Sequence, residues 1–175
     1  MITSGPFNID DAQFKLAADA LYERMRREAS FIFFQPGWLA NVPVGAGIYA
    51  IWNRAGQLVY VGETSDLQQR MEDIGHTYNH TCRRAVGIHE FKNHPDYFNV
   101  AACRGSYAPA VEAAITEYFT QELKVAFAKV NVGRKELEYY FMVERAPCSH
   151  PKYNGVTRRA RKAKLREARL LRKGA

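Results

Sequence analysis

Gly47-Ile48-Tyr49-Ala50-Ile51-Trp52-Asn53-Arg54-Ala55-Gly56-Gln57-Leu58-Val59-Tyr60-Val61-Gly62 is a pair of apolar, aromatic runs split by a turn-forming stretch. Gly47–Trp52 and Leu58–Gly62 have the β-branched and aromatic content of strands, and Gly56 stands where a reversing chain favours glycine. An antiparallel hairpin follows. With a four-residue loop over 53–56, Trp52 faces Gln57, which puts Tyr49 opposite Tyr60 and Gly47 opposite Gly62. Directly paired side chains share one face with Cβ atoms roughly 5 Å apart. The two phenols then converge, and the two glycines leave room for another backbone to come close. A five-residue loop would shift the register by one and send the tyrosines to opposite faces.

Working outward, residues 10–28 place Phe14, Ala17, Leu21 and Met25 at helical spacing behind an Asn8 or Asp10 cap. Phe31–Leu39 is aromatic and holds Pro36-Gly37, which suits a buried loop or short extended piece. A helix is expected to begin at Ser65, with Gln68 completing a capping box, and a second to span about His80 to Phe91 with a break near Gly87. Tyr97–Cys103 reads as the third strand. Ser106 caps a helix with Pro109 in its first turn, and the recurrence of Ile115, Phe119, Leu123 and Phe127 carries it almost to Asn131. Glu136–Glu144 looks like a further strand. The fold class expected is therefore α+β: a small three-stranded antiparallel sheet flanked by helices, with an N-terminal helix, an extra strand or hairpin late in the chain, and a basic tail.

The 175 residues suit one domain with an appendage, and 47% hydrophobic content marks most of it as globular. No apolar run approaches the ~20 residues of a membrane span, and Met1–Asp10 shows no leader pattern. Cys82, Cys103 and Cys148 are too few and too scattered for a disulfide framework or a zinc site, and suit a reducing cytoplasm. The net charge of +7 is uneven: residues 158–173 carry +8, leaving residues 1–157 at −1. Arg158, Arg159, Arg161, Lys162, Lys164 and Arg166 in that tail would gain from counterion release on a nucleic acid, the alternative being a solvated end that touches nothing. The chain divides into residues 1–46 (a helical, aromatic extension), 47–155 (the main domain) and 156–175 (the tail).

Several side chains carry chemistry. Arg70 lies at the edge of a helical stripe of Leu67, Met71 and Ile74; the alternative is a surface pair with Asp66 or Asp73. Glu112 shares a face with Ile115 and Phe119, so its carboxylate needs hydrogen-bond donors, a cation, or protonation. A hard divalent ion would satisfy it, as would an arginine. His80, with His76 behind it, precedes Arg83 and Arg84, which could contact phosphates or solvate a helix.

Gly47-Ile48-Tyr49 and Tyr60-Val61-Gly62 at this spacing, followed in order by Arg70 and Glu112, resemble the GIY-YIG nuclease superfamily, with Val61 where the motif has isoleucine. The resemblance covers about Gly47 to Asn131, and it implies a DNA-cutting enzyme. It places the metal, one Mg²⁺ that Mn²⁺ could replace, on Glu112. Arg70 would stabilise transition-state charge, Tyr49 would activate water, and Tyr60 would orient water or phosphate. A family histidine often follows the arginine by about one turn, where this chain has Ile74, so His80 is the substitute candidate. A tyrosine acting as base near neutral pH needs help from the metal, Arg70 or a histidine, and His80 could take that role. The family's supporting asparagine is either Asn131 or Asn154. Double-stranded DNA is the expected partner of a monomer or homodimer. A restriction-type or phage-borne nuclease comes first; a structure-specific repair nuclease or a silent binding module are the alternatives.

Overall fold

In a computed structural model, residues 11–98, 105–146 and 151–154 are described. The basic tail, the Asn8 and Asp10 caps, and most of the Tyr97–Cys103 strand candidate lie outside them. The order of elements is helix α1 (Asp11–Glu28), a short 3₁₀ turn (Trp38–Asn41), strand β1 (Gly47–Asn53), strand β2 (Leu58–Thr64), helix α2 (Leu67–Asp73) and helix α3 (Thr81–Glu90). Helix α4 (Pro109–Glu122), strand β3 (Leu123–Lys129), helix α5 (Arg134–Tyr140) and a π-helical turn (Phe141–Arg145) follow.

The hairpin forms, but its register is offset from the expected one. Asn53 closes a five-residue turn, its Oδ1 accepting from the Gln57 N–H at 2.8 Å and its carbonyl from the Gly56 N–H at 2.9 Å, with Gly56 at φ 78°. Trp52 therefore pairs with Leu58. On its own that shift would part the tyrosines. An irregularity next to it, between Ile51 and Trp52, adds one more residue on β2, so Ile51 pairs with Tyr60, Tyr49 with Gly62 and Gly47 with Thr64. The two shifts sum to an even number. Tyr49 and Tyr60 become diagonal neighbours on one face, their rings stacked at 5.8 Å and 26°.

The glycines serve packing rather than an approaching strand. A Cβ on Gly62 would stand 2.4 Å from the Tyr49 hydroxyl, and one on Gly47 would stand 2.3 Å from the Ala128 carbonyl oxygen. The space above Gly62 is filled by the Tyr49 ring itself.

Among the described residues the third strand of the sheet lies at Leu123–Lys129. It pairs antiparallel with β1 from Gly47↔Lys129 to Asn53↔Leu123, giving the order β2-β1-β3. The α4 helix accordingly stops at Glu122. The strand expected over Glu136–Glu144 is instead α5 and the π turn, with Leu137, Phe141 and Met142 buried at helical spacing.

Both faces of the sheet are covered. One face, with Ile48, Ala50, Trp52, Ala126 and Ala128, packs on α1 (Ala18, Tyr22, Met25) and on Leu137 and Phe141. The buried stripe of α1 thus runs through Ala18 and Tyr22, and Ala17 is exposed. The other face, with Tyr49, Ile51, Tyr60 and Val125, packs on α2, α3, α4 and the aromatic loop of Phe33 and Trp38. This second face carries the site. No helix among the described residues is long and apolar enough to cross a membrane.

Candidate active site

Tyr49 is the hub. It sits mid-strand on β1, fully buried, and its oxygen meets Arg70 Nε at 3.1 Å and His80 Nε2 at 3.0 Å. Arg70 arrives from α2, whose N-cap is Asp66 rather than Ser65: the Asp66 carboxylate accepts from the Gln68 and Gln69 N–H groups. Arg70 Nη1 also donates to the Asn79 carbonyl at 3.3 Å. Among the described residues Arg70 makes no ion pair with Asp66 or Asp73, so the guanidinium belongs to the phenol and not to a surface pair. Tyr60 bonds the Thr81 hydroxyl at 3.0 Å.

His80 is the N-cap of α3. Its Nδ1 accepts the Cys82 N–H at 3.2 Å, and the helix runs unbroken through Gly87, where a Cβ would strike the Tyr107 ring. Burial and then the charges of Arg70, Arg83 and Arg84 hold the imidazole well below its ordinary pKa. Burial, reinforced by Tyr60 and opposed by Arg70, raises the Tyr49 phenol well above its own. Burial raises Tyr60 as well. Around neutral pH the hub is a neutral phenol and a neutral imidazole beside one cation.

That arrangement sets a pH dependence of stability. The unfolded imidazole binds a proton below about 6.5. The folded one resists it, so the unfolded state holds more protons, and stability falls as pH drops from that value toward the depressed folded pKa. Above it the residue contributes no slope. The single-site slope is at most about 1.4 kcal/mol per pH unit. Urea unfolding at pH 7.5 and pH 5 is expected to show a smaller acid loss in His80→Asn, which retains a capping side chain, than in the parent. An equal loss in both would remove His80 from the acid response.

Glu112 is placed apart from the tyrosines. Val111, Ile115 and Phe119 form the buried stripe of α4, and Glu112 is one residue off it with its side chain 22% exposed. Its Oε2 receives Arg83 Nε and Nη2, each at 2.9 Å, and its Oε1 receives the Tyr107 N–H at 2.9 Å. Arg83 is 2% exposed and also bonds Thr116 at 2.8 Å. It is therefore the counter-charge of Glu112 and not a phosphate-contacting surface residue, a correction to the sequence expectation. Arg84, its neighbour, is half-exposed and donates to the Tyr78 carbonyl.

A family model described as the GIY-YIG catalytic domain matches residues 45–154, more than half of the chain. The chain belongs to the GIY-YIG family. This is a catalytic nuclease domain, so the protein is an endonuclease. GIY-YIG nucleases generally use divalent metal ions. Comparison with curated proteins and with solved structures found no match.

In this GIY-YIG domain the structure joins Tyr49, Tyr60, Arg70 and His80 in one network, while Glu112 is tied to α3 by Arg83 and, through Tyr107, by the Arg84 carbonyl. Of the two asparagines, Asn131 is exposed beyond β3. Asn154 is buried and clasps the outer edge of β2, donating to the Val61 carbonyl at 2.7 Å and accepting its N–H at 2.8 Å. Thr81, Arg83 as a partner, and Tyr107 were missed from sequence. Thr81 had a local signal, since it follows a capping residue at the mouth of a helix; Tyr107 had none, because it reaches Glu112 through its backbone N–H and α3 through contacts distant in sequence.

A metal site can be tested on the donors present. No group of three or more His, Cys, Asp or Glu among the described residues could cage an ion. Glu112 lines an open cavity of about 320 Å³ with His76, Thr77, Ser106 and Thr116. Three protein donors leave its carboxylate one free acceptor position. That suits Mg²⁺, which keeps several waters and takes one or two carboxylates beside substrate phosphate.

Proposed function

We propose that this endonuclease is a divalent-metal-dependent DNA nuclease of the restriction or mobile-element kind, with residues 47–155 as the cutting unit and residues 156–175 as a basic arm on the duplex. The observation that carries this reading is the anchoring of Arg70. Its Nε is bound to a buried phenol and its Nη1 to a main-chain carbonyl, while the side chain stays partly exposed. A guanidinium held by one side in this way can present its remaining N–H groups to a phosphate without first paying the entropy of ordering a long side chain.

Arg70 is thus the group that touches the scissile phosphate and stabilises the charge it gains as water adds. Tyr49 has no exposed surface and meets no water in this arrangement. It orients Arg70 by accepting the hydrogen bond from its Nε. Tyr60, 6% exposed and bonded to the exposed Thr81, orients what enters the mouth. Mg²⁺, with Mn²⁺ as a substitute, would be held by Glu112, where it supplies neutralisation of phosphate charge and of the leaving oxygen.

The test is incubation of supercoiled and linear duplex with the protein, in Mg²⁺ and in EDTA, beside Glu112→Gln and Glu112→Ala. Metal-dependent cutting lost in both variants is expected, and discrete fragments would mark a restriction-type specificity. Both variants leave buried Arg83 without its counter-charge, at a cost of about 3–5 kcal/mol, so the folding of each must be checked by circular dichroism. Wild-type cutting by Glu112→Gln would remove the metal from Glu112.

A further inference from the structure

The geometry points to His80 as a hydrogen-bond donor whose tautomer is set by the peptide N–H of Cys82, and therefore to a positioning residue for Tyr49 and Arg70 instead of a proton acceptor. A neutral imidazole has one N–H and one lone-pair nitrogen. A peptide N–H can only donate, so Nδ1, 3.2 Å from the Cys82 nitrogen, must hold the lone pair. The ring hydrogen is then on Nε2. That nitrogen is 3.0 Å from the Tyr49 oxygen, so the contact runs from His80 to Tyr49.

Arg70 Nε also can only donate, and it reaches the same oxygen at 3.1 Å. Tyr49 therefore accepts twice, once from α2 and once from the mouth of α3. Its ring is fixed from below by Gly62 and from the side by Tyr60. The groups facing His80 from the surrounding elements are the phenols of Tyr49 and Tyr60 and the cations Arg70, Arg83 and Arg84. Taking up a proton would mean breaking the cap and placing a charge in a buried site beside three arginines. The cap thus does two things: it starts the helix and it points a donor at the phenol that holds Arg70.

The catalytic consequence rests on the nuclease reading; the hydrogen-bond roles do not, and the experiment separates them. The full chain is labelled with ¹⁵N-histidine, and long-range ¹H–¹⁵N correlations report each ring's tautomer, with His80 assigned by its loss in His80→Asn. A persistent Nε2–H tautomer from pH 5.5 to 8 is expected, retained in Tyr49→Phe because the peptide and not the phenol sets it. An Nδ1–H tautomer, a tautomer that flips in Tyr49→Phe, or an imidazolium at pH 6 would overturn the assignment. In cleavage assays His80→Asn keeps an acceptor for the cap but falls short of Tyr49, and kcat is expected to drop about 10- to 100-fold at unchanged KM. The pH–rate profile of that variant should keep the parent's shape; loss of an acid limb that the parent shows would make His80 the base and refute the proposal. An Nε2–H signal in a protein that cuts nothing would uphold the donor role and sink the nuclease reading.

Discussion

Arg70→Ala is expected to lower the rate of DNA cleavage by about 10³-fold or more, the range in which removal of a charge-stabilising donor or arginine falls. The fold should survive. Arg70 is partly exposed on a short helix whose buried anchors are Leu67 and Met71, and His80 remains as a donor to Tyr49 after the arginine has gone. The lost hydrogen bond is worth about 1 kcal/mol of stability. Binding should change little, because one phosphate contact among several alters the salt dependence by only about one unit of slope. Arg70→Lys is expected to recover little activity. An ammonium cannot keep one nitrogen on Tyr49, another on the Asn79 carbonyl and still offer further donors outward. The decisive comparison is single-turnover cleavage beside fluorescence-anisotropy binding of the same duplex. Cleavage by Arg70→Ala within about tenfold of the parent would show that the guanidinium does not meet the reacting phosphate.

How much of this was legible in the sequence depends on whether local or distant contacts decide each piece. The hairpin was legible, since its strands, its glycine and its turn are all local. Its register was not, because two departures from a simple hairpin, the longer turn and the adjacent irregularity, cancel in parity and leave the tyrosines on one face anyway. Leu123–Lys129 was misread as helix because Ile115, Phe119, Leu123 and Phe127 keep a four-residue beat. The same residues also alternate, with Leu123 and Val125 on one side and Ala126 and Ala128 split from Phe127, and pairing with β1 settles the ambiguity. No proline or glycine marks the switch. Glu136–Glu144 was misread in the opposite direction, on its aromatic content, although Leu137, Tyr140 and Phe141 carried the helical spacing.

The site divides in the same way. Tyr49, Tyr60, Arg70 and His80 were singled out by the resemblance to the family motif, and in the fold these side chains meet. The exchange of partners around Glu112 was not. An acid near an apolar stripe announces that it needs a cation, but nothing local says that the cation is Arg83, 29 residues earlier on another helix. The choice between the asparagines was equally out of reach, since Asn154 works by completing the edge of β2 across 93 residues of chain.

Gly62→Ala is the substitution expected to damage the fold most for its size. The added Cβ would stand 2.4 Å from the Tyr49 oxygen and 2.5 Å from the ring carbon bearing it, far inside contact distance. A long side chain can sometimes swing aside. Tyr49 cannot: it is fully buried, stacked on Tyr60, and its oxygen is held by donors from two helices. Either the phenol leaves Arg70 and His80, or β2 moves away from the ring and strains its pairing with β1. Overpacking of this kind costs about 1–3 kcal/mol, and loss of the phenol's hydrogen bonds adds to it. Urea denaturation should place Gly62→Ala at least about 2 kcal/mol below the parent. The test of cause is a double-mutant cycle with Tyr49→Ala, which opens the space the new methyl needs. The double variant should be less destabilised than the sum of the two single changes, with a coupling of about 1 kcal/mol or more. Additive losses would mean that the glycine is required by the backbone of β2 and not by the ring above it, and the motif's second glycine would then have no part in placing Tyr49.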